Sequence, residues 1–151
     1  MATSWITIPG VVTKGYGVAS GSDSPRFPGG TIRAQSPHFL ARGVDISPYY
    51  PGTLNVDIAP RRFTVIHPSH TITDVSWWPD VPAETFSFSP CRIILPTGPI
   101  DALVYYPHPE TKPEHHQPPT VIEVLAPFIQ GLGTGSTLEL ALDPAEVIVT
   151  G

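Results

Sequence analysis

YPGTLNVDI, residues 50–58, decides how the rest of the chain is read. Pro51-Gly52 suits the centre of a turn, because proline presets φ at the second position and glycine tolerates positive φ at the third. Past the turn the residues alternate. Leu54, Val56 and Ile58 share one face of an extended strand, and Thr53, Asn55 and Asp57 share the other. The first face is apolar and the second is all oxygen. Asn and Asp are depleted in strands, so the polar row is either a solvated surface or a set of ligands. Spacing alone favours the solvated surface.

The same two-residue period recurs along the chain. WITIPGVVTK, TIRAQ, TLNVDI, RFTVIH, TITDVSWW, FSFSPCRIIL, IDALVYY, TVIEVLA and STLELAL read as short β segments, separated by Pro, Gly, Asp and Ser clusters. No long stretch carries a 3.6-residue apolar period. The best helix is SPHFLARG, with Ser36 as cap, Pro37 in the first turn and Gly43 closing the end. The expected fold is all-β, a compact β-barrel of short strands with one or two short helices.

Length and composition agree. A chain of 151 residues fits one domain spanning 1–151 and can bury roughly 70% of its unfolded surface. With 20 Pro and 13 Gly, turn formers make up about a fifth of the chain, below the level of low-complexity disorder. Eight Lys and Arg against thirteen Asp and Glu give a net charge of -5, with no basic stripe for phosphates, so nucleic acid is an unfavoured partner. Cys91 is the single cysteine, which excludes an internal disulfide and fits a reducing compartment. In SPCRIILP its thiol reads as buried and inert, with a catalytic thiol as the sharper alternative. MATSWITIPG has no basic residue and no apolar run long enough for a leader or a membrane span. The expectation is a cytoplasmic protein with no membrane partner.

Several candidates carry chemistry. A Thr hydroxyl and an Asn carbonyl two residues apart on one strand face offer neutral oxygens to a hard cation such as Mg²⁺, which takes further ligands from water and substrate phosphates. KGYGVASG follows an apolar strand, and its glycines would let backbone amides approach an anion, although it is neither a dinucleotide fingerprint nor a Walker loop. Glu123, inside TVIEVLAP, either faces solvent or accepts hydrogen bonds from a ligand, because an unpaired buried charge is too unfavourable. On strand logic alone it faces solvent. His115 and His116 are adjacent, so in an extended loop they point apart and make a poor zinc pair. Trp77 and Trp78 close a core or an edge more readily than they stack on a ligand.

Four stretches occur in a suggestive order: the Gly-rich loop after the first strand, PGTLNV, IDALVYYP with a following Thr, and IEVLAP. In these the chain resembles the archaeal CTP-dependent riboflavin kinases, which form a cradle-loop β-barrel. That resemblance implies transfer of the γ-phosphoryl of CTP to riboflavin, giving FMN and CDP, with Mg²⁺ as cofactor. It implies Thr53 and Asn55 as magnesium ligands and Thr111 and Glu123 as flavin contacts. The nucleotide would lie against Gly15, Tyr16, Gly17, Val18, Ala19 and Ser20, and against Phe128, Ile129, Gln130 and Gly131. The chain departs from the family where the loop usually reads Gly-x-Gly-Glu-Gly: Val18 and Ala19 replace its last two residues. Asp57 shares the polar face without an implied role. The alternative class is a non-catalytic barrel that binds a flavin or a nucleotide.

Overall fold

The computed structural model describes residues 4–14, 31–112 and 118–151. Within them lie nine strands and one helix: β1 (Ile6–Lys14), α1 (Thr31–Ala41), β2 (Leu54–Asp57), β3 (Arg62–Val65), β4 (His70–Val75), β5 (Glu84–Leu95), β6 (Gly98–Pro107), β7 (Val121–Leu125), β8 (Thr137–Leu142) and β9 (Val147–Thr150). The all-β expectation holds.

The large sheet runs β4-β5-β6-β7-β2-β1-β8, and β8 pairs back onto β5. Six strands therefore close a ring, with every pairing antiparallel. The twelve-residue β5 makes closure feasible. Its first half pairs with β4 through Phe86 and Phe88, and its second half pairs with β8 from Cys91 to Ile94. A closed ring leaves no unpaired edge among its members.

Alternation fills the ring. Val12, Leu54, Val56, Ile93, Ile122, Val124, Leu140 and Leu142 are fully buried in one cluster that also holds Cys91. Each such side chain stabilises the fold by about 1.5–3 kcal/mol relative to exposure. Burial pushes the Cys91 thiol up to about 12, so it is the inert thiol of the first reading. Gly10 is required by packing: a Cβ there would come within 2.5 Å of the Val56 Cγ1 methyl.

A second cluster covers the outer face of the ring. Phe39 of α1 packs edge-on to Phe86 and Phe88 at 4.9 and 5.1 Å, and Tyr105, Leu125 and Trp77 join them. Trp77 thus closes a core, as its sequence context suggests.

Three local expectations are corrected. TIRAQ is the first half of α1, not a strand, because Ile32, Gln35 and Phe39 bury one face at helical spacing. Ser36 is accordingly not the cap, and Pro37 lies inside the helix; burial of that face outweighs the hydrogen bond that proline removes. Gly43 does end the helix, at φ +91, with the Val44 amide donating to the Phe39 carbonyl. The third correction is β9, within EVIVT, which pairs with β3 as a separate two-stranded sheet. Among the described residues no helix is long and apolar enough to cross a membrane.

Candidate functional site

The polar row of β2 meets β7. Asn55 lies directly opposite Glu123 in the antiparallel register, so their side chains leave the same face of the sheet. Thr53, at the end of the Pro51-Gly52 turn, is 4% exposed. Its Oγ1 lies 3.2 Å from Glu123 Oε1 and 3.4 Å from Asn55 Oδ1. One Thr53 hydroxyl proton is shared between the two acceptor oxygens. Thr53 and Asn55 share a side, as alternation requires. Asp57, on the same face, accepts a hydrogen bond from the Ala59 amide at 2.8 Å.

Glu123 corrects the solvated reading: it is half-buried and paired with Thr53. Burial pushes its carboxyl above the ordinary range, opposed by the Lys112 charge and the Thr53 hydroxyl. Glu123 and Lys112 are the two charged side chains lining a cavity of about 230 Å³. Its other walls are Phe63, Tyr105, Tyr106, Val121 and prolines 107, 109, 118 and 119. Apolar walls with a few polar groups are the usual makeup of a small-molecule site.

A buried polar layer lies against Tyr105. Its hydroxyl donates to Gln35 Oε1 of α1 at 2.8 Å. Burial, then Glu123 and Glu84, push the phenol well above its ordinary value, against the Gln35 bond, so it remains a donor. Glu84, 4% exposed, accepts from Trp77 Nε1 at 2.9 Å. Burial raises its carboxyl too, while Trp77 and Lys112 lower it. Lys112 therefore acts electrostatically on both carboxyls.

Thr111 fixes the strap that carries Lys112. Its Oγ1 accepts from the Thr85 amide at 3.0 Å and donates to the His108 carbonyl at 3.0 Å. Phe128, 63% exposed, lies 5.5 Å from the Tyr50 ring, and the Tyr50 amide donates to the Ala126 carbonyl at 2.9 Å. These contacts bring the 128–131 loop to the turn that presents Thr53. Ile129 packs on the ring core, Gln130 is exposed and Gly131 takes φ +83. β1 ends at Lys14 opposite Asn55. Residues 15–20 and the His115/His116 pair lie outside the described residues.

Glu84, Tyr105, Gln35 and Lys112 were not legible as site residues. They come from three separate segments whose convergence depends on α1 docking against β5 and β6. Among the described residues no group of three or more His, Cys, Asp or Glu side chains converges. A cation at Thr53 and Asn55 would thus have a single nearby carboxylate and would need oxygens from a substrate phosphate. No family model matches the chain, and no curated protein matches it at a significant level.

Proposed function

We propose that this chain is a Mg²⁺-dependent phosphotransferase that moves a phosphoryl group from a nucleoside triphosphate, CTP by resemblance, to riboflavin to give FMN. One observation carries the reading: Thr53 Oγ1, Asn55 Oδ1 and Glu123 Oε1 converge around one hydroxyl proton, beside an aromatic-walled cavity that Glu123 also lines. Such an excess of acceptors suits a hard cation.

In this reading Thr53 and Asn55 would hold Mg²⁺, whose contribution would be charge neutralisation at the phosphates. Glu123 accepts a hydrogen bond from a riboflavin hydroxyl, its basicity raised by burial. The tyrosine and phenylalanine walls hold the flavin ring, and the 128–131 loop holds part of the nucleotide. Phosphoryl transfer demands positioning and charge neutralisation more than covalent catalysis, and these residues supply both.

Riboflavin fluorescence, titrated with the protein, tests the acceptor half. Quenching is expected, and Glu123→Ala should weaken binding by about 1–3 kcal/mol, the effect of losing a hydrogen bond to a charged group. A folded protein that leaves riboflavin fluorescence unchanged would refute the reading.

A further inference from the structure

Ser87 and Ser89 continue the ring-lining face of Cys91 and Ile93 towards one end of β5, opposite the face that carries Phe86 and Phe88. Ser87 is 1% exposed. Its Oγ lies 2.6 Å from His108 Nε2, and His108 Nδ1 lies 3.0 Å from Glu110 Oε2. On the other side Ser87 Oγ lies 2.9 Å from Thr71 Oγ1, its register partner on β4. Thr71 is exposed. Four side chains from three segments thus form one unbroken line of hydrogen bonds, from a solvent-facing hydroxyl to a carboxylate.

The proton directions follow from the ends. Backbone hydrogen bonding, then the His108 ring, hold the Glu110 carboxyl below its ordinary range, so it is ionised and only accepts. His108 therefore donates from Nδ1 and leaves Nε2 to accept from Ser87, and Ser87 in turn accepts from Thr71. Serine, histidine and a carboxylate in this order are the parts of an activated nucleophile. Here the buried serine passes the proton and the exposed threonine offers the oxygen. The Tyr106 ring, 5.1 Å from the imidazole, fixes the ring's other side.

We propose that Thr71 is a nucleophile for small activated acyl esters, with Ser87 as its proton relay, His108 as its base and Glu110 as the residue that positions the base. In the transfer step the Thr71 Oγ1–acyl carbon bond forms and the bond from that carbon to the leaving oxygen breaks. The Thr71 proton moves to Ser87 Oγ as the Ser87 proton moves to His108 Nε2, and the leaving oxygen of the activated ester departs as its anion. Water then attacks the acyl carbon and loses a proton to solvent, the Oγ1–acyl bond breaks, and the proton held on His108 returns through Ser87 to Thr71 Oγ1 as the acid is released. The four hydrogen-bonded groups take no part in the phosphotransferase reading; the two sites share only the Tyr106 ring, which also lines the cavity.

The probe is p-nitrophenyl acetate on the full chain, with the acetylated residue located by peptide mass spectrometry and the rate followed by p-nitrophenolate release. Acetylation of Thr71 is expected, abolished in Thr71→Val and slowed about 100-fold in His108→Ala, the lower end of what a positioned general base supplies. Glu110 is 69% exposed, so Glu110→Gln leaves the fold intact and carries the test even if His108→Ala destabilises the strap. That variant should slow labelling, and Glu110→Asp, which keeps a carboxylate, should restore it. Acetate on Ser87 in place of Thr71, labelling confined to lysines, or a Thr71 rate unchanged in Glu110→Gln would overturn the proposal.

Discussion

Replacing Thr53 by Val removes one hydroxyl at nearly constant shape from a position that is 4% exposed. The lost bond is the one to Glu123 Oε1 at 3.2 Å, with the 3.4 Å approach to Asn55 Oδ1 adding little. A hydrogen bond to a charged group contributes about 1.5–3 kcal/mol, and 3.2 Å is long for O–H···O, so the lower end applies: about 1.5 kcal/mol. For a domain of this size that lowers Tm by roughly 3–6 °C. The effect depends on pH, and its sign follows from Glu123. Burial raises the folded-state carboxyl and the Thr53 bond lowers it; Thr53→Val therefore raises it further. A carboxyl raised on folding contributes stability that is full below its unfolded value, about 4.3, and is lost as pH rises through the folded value. The gap between wild type and Thr53→Val should thus be widest near neutrality and narrow as the pH approaches 4. Urea unfolding followed by circular dichroism at a series of pH values measures it. A cost that is negligible at neutral pH, or that widens on acidification, would refute the hydrogen-bonded site.

Other expectations are direct. Gly10→Ala pushes a Cβ against the fully buried Val56 and should cost about 1–3 kcal/mol by overpacking, read as a lower urea midpoint; a neutral result would mean that β1 and β2 can separate locally. Phe128→Ala removes an exposed ring that borders Tyr50 and should weaken nucleotide binding by about 1–3 kcal/mol, the range for one stacked base, measured by calorimetric titration. Val18 and Ala19 stand where the riboflavin kinases that the sequence resembles carry a carboxylate and a flexible glycine, and alanine takes positive φ less readily than glycine. Donor use should therefore be broader or weaker than strict CTP selectivity, as read by comparing CTP, ATP, GTP and UTP at equal concentration.

Strand alternation carried most of the fold. In LNVD the buried and half-buried residues alternate as the sequence demands, and eight of the nine strands fall in segments with visible β patterning. α1 was obscured because Thr31 and Ile32 are β-formers and Pro37 argues for a helix start, whereas the actual order comes from Ile32 and Phe39 docking on β5 and β6. β9 was missed because a four-residue strand has too few alternations to stand out, and its pairing with β3 is long-range. Thr53 and Asn55 were legible as a pair because one strand places both. Glu123 was legible as a residue but its orientation was not, since the Asn55–Glu123 pairing is a register between strands far apart in sequence. The line from Thr71 to Glu110 was invisible for the same reason: its members lie on β4, β5 and the strap after β6.

Riboflavin incubated with CTP and Mg²⁺, with FMN and CDP quantified by chromatography, tests the central claim most directly. The account expects FMN and CDP in equal amounts, none when the metal is chelated, and a sharp loss in Asn55→Ala, which removes a proposed ligand while keeping the strand. A folded protein that binds riboflavin yet forms no FMN from CTP, ATP, GTP or UTP would contradict it and leave a barrel that binds the flavin without phosphorylating it.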